Sequence, residues 1–243
     1  MTLRLLDTFS GIGGFSLAAR WLGEYKTIQF VERELYCRTI LRKHWPSVPI
    51  SSDICTFKPT NGFADVITAG FPCQDISTAG KRAGIAHGTR SGLFYELMRV
   101  ICLVRPKYVV LENVAAIVGF GLDAVGGALA QAGYDLEWAC IRASDVGARH
   151  RRDRWWAVAY PVGYGSKRNL QQAVPWQSAL QRVESVRGFA DLQNGPSAST
   201  PRLLRGTDGL PNKLDRLRAL GNAVVPHVAM IPLARVLDLH HNA

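Results

Sequence analysis

The sequence predicts a doubly wound α/β protein with a mostly parallel sheet, and three observations predict it. From residue 3 to about 160, short strand-like runs alternate with segments whose apolar residues recur at helical spacing. A glycine-rich turn follows the first run directly. The polar clusters of chemical interest then fall at the end of a strand-like run or just after one, where ligands bind in such sheets.

Taken in order, residues 3–7, 27–32, 65–70, 108–112, 136–143 and 154–160 read as strands, with a further strand end before Ser52. Residues 14–22, 34–44, 91–104 and 123–132 read as helices between them. The texture changes near Pro161. Residues 161–212 are rich in Gly, Pro, Ser, Gln and Asn with no sustained period, which predicts a small loop-rich module. A patterned helix returns at 226–239. The expected division is 1–160, 161–212 and 213–243.

The chain of 243 residues holds one substantial core and a small appendage. No stretch of ~18 apolar residues runs free of charge, so a membrane span is not expected. Asp7 interrupts the first apolar run too early for a secretory signal, and a cytoplasmic protein is expected. The five cysteines form no C-x-x-C pair, which favours reduced thiols, most of them buried, over a disulfide framework or a metal site. The net charge of +10 suits a polyanionic partner. Residues 161–243 carry 10 basic against 5 acidic side chains and residues 1–160 carry 19 against 14, so the C-terminal part is the more basic per residue.

In DTFSGIGGFSLA, Gly11, Gly13 and Gly14 let the backbone turn tightly and lie close to a ligand at the next helix N-terminus. Glu32 ends the next strand about 20 residues on, where a carboxylate suits the hydroxyls of a ribose. Asp53, in Ser52-Asp53-Ile54, is placed to accept a hydrogen bond from an adenine amino group. The run DVITAG leads into GFPCQDIS. Pro72 fixes its own φ and restricts Phe71, giving a rigid lead into Cys73. A thiol at that place is set to act as a nucleophile, in its thiolate form.

These motifs resemble, in sequence order, those of DNA (cytosine-5)-methyltransferases: DTFSGIGGF, GFPCQ, Glu112-Asn113 after a strand, an Arg-x-Arg, and Gly221-Asn222-Ala223-Val224. HRRDRWW and DRLRALGNAVVP are most similar to phage and prophage members. The resemblance implies a Rossmann-like catalytic domain at 1–160, a reduced target-recognition module at 161–212, and a segment at 213–243 that returns to the catalytic domain. It implies S-adenosylmethionine as cofactor, with Phe9, Gly11, Gly13, Gly14, Glu32, Asp53, Ile54, Pro72, Leu93 and Asn222 around it. Cys73 would be the nucleophile and Glu112 would hold or protonate the cytosine N3. Arg152 and Arg154 would contact the base and support the loop around Cys73. His150 stands where Gln is usual.

By the same resemblance a loop from about Gln74 to Arg90 closes on duplex DNA, with Gln74, Ser77, Lys81, Arg82 and Arg90 as contacts. A monomer is expected, with a cognate restriction endonuclease as a possible companion. Two other readings stay open: a tRNA cytosine-5 methyltransferase, conceivable because the recognition region is short, and a catalytically silent DNA-binding relative. An NAD-dependent oxidoreductase would share the glycine turn but has no use for Pro72-Cys73-Gln74 or Glu112-Asn113.

Overall fold

The computed structural model describes residues 2–72, 92–148, 150–163, 176–184 and 213–242. Its sheet has seven strands: β1 (Leu3–Thr8), β2 (Tyr25–Val31), β3 (Ile50–Ser51), β4 (Val66–Gly70), β5 (Tyr108–Val114), β6 (Tyr134–Arg142) and β7 (Asp153–Pro161). The helices are α1 (Gly14–Leu22), α2 (Leu35–His44), α3 (Gly92–Val104), α4 (Ile117–Phe120), α5 (Leu122–Gln131), α6 (Gln177–Glu184), α7 (Lys213–Asn222) and α8 (Pro226–His241). The sheet order is β3-β2-β1-β4-β5-β7-β6, parallel from β3 to β5 and antiparallel at β7 and β6.

Alternation along each strand divides the core between the two faces of the sheet. Tyr108, Val110, Trp156 and Val158 pack under α1 and α8; Val109, Leu111, Trp155 and Ala157 pack under α3 and α5. Trp155 and Trp156 are fully buried on opposite faces, so truncating either to Ala costs about 3–5 kcal/mol.

The elements follow the sequence closely, with three differences. Strand β5 runs on to Val114, so Glu112 and Asn113 lie inside it, opposite Trp156 and Trp155, rather than after it. The strand expected at 154–160 forms, but antiparallel to its neighbours where a mostly parallel sheet was expected. The Arg-x-Arg opens this strand, β7, whose antiparallel course brings its first residues to the edge where β1, β2, β4 and β5 end. The region expected to be a loop-rich module contains a helix, α6, whose Ala179 and Val183, with Trp176, are buried beside α8. The thiols also depart from expectation: among the described cysteines only Cys37 is buried, while Cys55, Cys102 and Cys140 are exposed. Cys55 lies in the loop after β3, Cys102 faces solvent on α3, and Cys140 lies on the edge strand β6.

The C-terminal helix is integral to the core. Buried Val228, Ala229 and Ile231 pack in the cluster with Phe15 and Ala18 of α1, and the carbonyl of Leu233 accepts a hydrogen bond from Tyr25 at 2.6 Å. Arg235 pairs with Glu137 of β6 through two contacts of 2.6 and 3.1 Å, both side chains being nearly buried. This return brings Val224 onto the glycine turn. A Cβ on Gly14 would lie 2.5 Å from the Val224 carbonyl oxygen, and one on Gly13 would lie 2.7 Å from the Trp45 ring. The missing side chains at Gly13 and Gly14 are therefore filled by the protein itself.

Candidate active site

The register sets one row of strand ends side by side. Thr8 is level with Val31 and with Ala69, Val31 with Ser51, and Gly70 with Glu112. The residues that follow these ends form one edge: Phe9 to Gly11 after β1, Glu32 after β2, Asp53 and Ile54 after β3, Phe71 and Pro72 after β4.

On the β3-β2-β1 side the polar groups are held by local backbone. Glu32, 7% exposed, accepts the Gly11 N–H at 2.7 Å through one oxygen and the Glu34 N–H at 2.7 Å through the other. Burial pushes its carboxyl above the ordinary value, and those two donors pull it part of the way back. Each carboxylate oxygen has a second lone-pair direction with which to accept a hydroxyl. Asp53 accepts the Cys55 N–H at 2.9 Å. Ile54 is buried beside it, Phe9 and Leu93 are half-buried, and Gly11 (φ +53°) faces open space. Two carboxylates, apolar walls and an open glycine backbone fit the adenosine half of S-adenosylmethionine in their chemistry.

Asp7, which sequence reasoning did not single out, ties this side to the next. It is fully buried in β1; Ser16 of α1 donates to one oxygen at 2.6 Å and Thr68 of β4 to the other at 3.1 Å. Burial pushes its carboxyl up to about 7 against these hydrogen bonds, with Glu32 adding a smaller push. The signal was present as a lone acid directly after the apolar pair Leu5-Leu6.

The β4-β5-β7 side is built from distant segments. Glu112, 8% exposed, receives Arg154 at 3.1 Å. The two line a crevice with Trp156, Arg152 and Val228 that is too narrow for a water molecule. Burial raises the Glu112 carboxyl; Arg154 and then Arg152 oppose the rise. Arg152 adopts a positive φ of 22° and donates to the Gly221 carbonyl at 2.7 Å, which links the Arg-x-Arg to the end of α7. Its own pKa is lowered, first by burial and then by the neighbouring Arg154. Asn113 donates to the Phe71 carbonyl at 3.2 Å, so β5 grips the lead into Cys73.

Cys73 itself and Gln74, Ser77, Lys81, Arg82 and Arg90 lie outside the described residues. Asn222 is exposed at the end of α7, two residues before the valine that covers Gly14. A separate, mostly apolar cleft of about 520 Å³ lies between Gly13, Leu17, His150, Arg152, Leu220 and Val224. Its lining includes none of Glu32, Asp53 or Leu93, so it is distinct from the carboxylate row.

An open α/β sheet with a glycine turn, two carboxylates and a buried acid–arginine pair at one edge is a Rossmann-like fold, and the solved structures that share it include methyltransferases. Residues 3–199 match the sequence profile of the C-5 cytosine-specific DNA methylases, and the chain belongs to that family. It is 35% identical over 167 residues to Type II methyltransferase M.CviJI of Paramecium bursaria Chlorella virus IL3A, covering 68% of this chain and 45% of that protein. Type II methyltransferase M2.BsuMI of Bacillus subtilis is 32% identical over 160 residues, covering 63% and 40%. The chain thus spans about half the length of the curated relatives it matches. Among solved structures, S. pombe Dnmt2 methyltransferase superposes with a TM-score of 0.55 at 20% identity, over 66% of this chain and 50% of that one. A DNA modification methyltransferase encoded within an E. coli prophage gives 0.53 at 24%, over 70% and 49%. At these identities the structural likeness speaks to the fold.

Proposed function

We propose that the chain transfers a methyl group from S-adenosylmethionine to carbon 5 of cytosine in duplex DNA. The observation that carries this reading is the buried Glu112–Arg154 pair, joined through Asn113 to the Phe71 backbone two residues before Cys73. That juxtaposition supports a proton-holding role for Glu112 beside the strand end that leads into Cys73.

The cofactor, when bound, supplies a methyl group on a positively charged sulfur. Glu32 would hold the ribose hydroxyls, Asp53 the adenine amino group, Phe9, Ile54, Pro72 and Leu93 the apolar surfaces, and Asn222 with the open backbone at Gly11 the methionine end. The target base is flipped from the duplex. The Cys73 thiolate adds to carbon 6, and Glu112 delivers a proton to N3, so the ring electrons collect at carbon 5 as an enamine. Carbon 5 takes the methyl group, loses its proton to a base, and expels the thiolate while N3 returns its proton. Arg154 holds the Glu112 carboxyl in place, and Arg152 braces the Arg-x-Arg turn on Gly221.

In this reading residues 1–160 are the catalytic domain, 161–212 a reduced target-recognition module and 213–243 the returning segment. Lys81, Arg82 and Arg90 contact phosphates beside Gln74 and Ser77. The names of the relatives support a place in restriction-modification; a monomeric enzyme, with a cognate endonuclease as companion, belongs to the same proposal. The test is transfer of labelled methyl groups from S-adenosylmethionine to duplex DNA and, separately, to tRNA. We expect 5-methylcytosine in DNA. Label confined to tRNA would replace the substrate, and cofactor and DNA binding without transfer would leave a silent relative.

A further inference from the structure

We propose that Arg99 is a positioning residue that fixes the loop 53–57 so that Asp53 can read the exocyclic amino group of the cofactor's adenine; this rests on the cofactor reading above. Strand β3 is only two residues long, and the next regular element begins at Val66. The loop that carries Asp53 therefore leaves the sheet almost at once and needs another anchor. Within the loop, Asp53 accepts the Cys55 N–H through its side chain at 2.9 Å and the Thr56 hydroxyl through its carbonyl at 3.3 Å. The Phe57 N–H closes on the Ile54 carbonyl at 3.3 Å. These bonds shape the turn without attaching it to the domain.

Arg99 makes that attachment. From α3 its guanidinium donates to the carbonyls of Ile54 at 2.6 Å, Phe57 at 3.0 Å and Cys55 at 3.4 Å. Its Nε is held by Glu96 at 2.6 Å, one turn earlier on the same helix. The planar fork of arginine can serve several carbonyls and a carboxylate together; a lysine ammonium is a single point with a different reach. The same helix carries Leu93 in its first turn, and Ile54 packs in one cluster with Phe94 and Leu97. Arg99 thus makes α3 and the 53–57 turn one rigid unit, with Leu93 and Asp53 on it. A charged pair at 96 and 99 in an otherwise apolar helix has no other partner in view among the described residues.

The test compares S-adenosylhomocysteine with S-inosylhomocysteine, in which a carbonyl replaces the adenine amino group while ribose and tail stay the same. Both are titrated by calorimetry into the wild-type chain, Arg99→Met and Arg99→Lys, well below the unfolding transition. The wild type should prefer the adenosyl ligand by about tenfold or more, the scale of one well-placed hydrogen bond. Arg99→Met should lose that preference, mainly by weakening the adenosyl ligand about tenfold, and Arg99→Lys should restore part of it. Combining Arg99→Met with Asp53→Ala should remove no further preference. A preference unchanged in Arg99→Met, or equal weakening of both ligands, would overturn the positioning role. Wild-type protein that binds neither ligand would contradict the cofactor reading itself, a different failure from the loss of discrimination.

Discussion

The two halves of the candidate catalytic edge are built differently. On the β3-β2-β1 side, Glu32 and Asp53 are held by backbone N–H groups within a few residues or across one strand pair. On the β4-β5-β7 side, Glu112 depends on Arg154, and Arg152 on Gly221, residues 42 and 69 positions apart in sequence. The first arrangement presents acceptors to a ligand that arrives whole. The second surrounds an acid with two arginines in a narrow crevice, where its protonation responds to whatever enters. In the proposed reading the cofactor's acceptors are bonded locally, with Arg99 anchoring the 53–57 loop from α3, and the acid is poised by arginines distant in sequence.

The largest break in this contrast should come from Glu112→Gln. It keeps the shape but removes the transferable proton, and methyl transfer should fall about 10²–10⁴-fold. Cofactor affinity, measured by calorimetry, should stay near the wild-type value; parallel loss of both would merge the two halves. Glu32→Ala should act in reverse, weakening S-adenosylmethionine about tenfold to a hundredfold through the lost ribose contacts, with DNA affinity unchanged in a filter-binding assay. Unchanged cofactor affinity would remove Glu32 from the ribose.

Asp7 sits between the halves and gives the smallest effect, one of stability. Its carboxyl is raised in the fold from an ordinary value near 3.8 to about 7. The fold therefore binds its proton more tightly than the unfolded chain does. The associated stabilisation is complete below pH ~4 and is lost as pH rises through ~7, up to about 4 kcal/mol. Glu32 and Glu112 are raised too and slope the same way. The melting temperature should fall from pH 5 to pH 8, and Asp7→Asn should flatten most of that fall. A variant with the wild-type slope would show that Asp7 ionises without cost.

Much of the β3-β2-β1 side was legible because it is written locally. The glycine turn, Glu32 about 20 residues later and the acid after β3 recur at spacings that a parallel sheet imposes. The alternating pattern also gave the two-faced core. The antiparallel insertion of β7 between β5 and β6 was not legible, because strand order depends on pairing between distant segments. For that reason Arg154 reads as opening a strand but not as meeting Glu112 across the β5–β7 pair. Gly13 and Gly14 read as ligand-facing, whereas Trp45 and Val224, far off in sequence, fill the space. Helix α6 had a readable signal: Trp176, Ala179, Leu180 and Val183 recur at helical spacing, hidden by the polar composition around them. Arg99 was missed because a single arginine on a helix usually faces water, and its target is backbone carbonyl, which leaves no mark in sequence.

The central claim is that Cys73 and Glu112 act together on cytosine carbon 6 and N3. The most direct measurement is incubation with S-adenosylmethionine and duplex DNA in which cytosine is replaced by 5-fluorocytosine across varied sequences, followed by denaturing electrophoresis and peptide mapping. Fluorine cannot leave as a cation, so the reaction should stall as a covalent protein–DNA adduct. The account predicts an adduct at Cys73 that disappears in Cys73→Ser. An adduct at another residue, or none from protein that binds both cofactor and DNA, would contradict it.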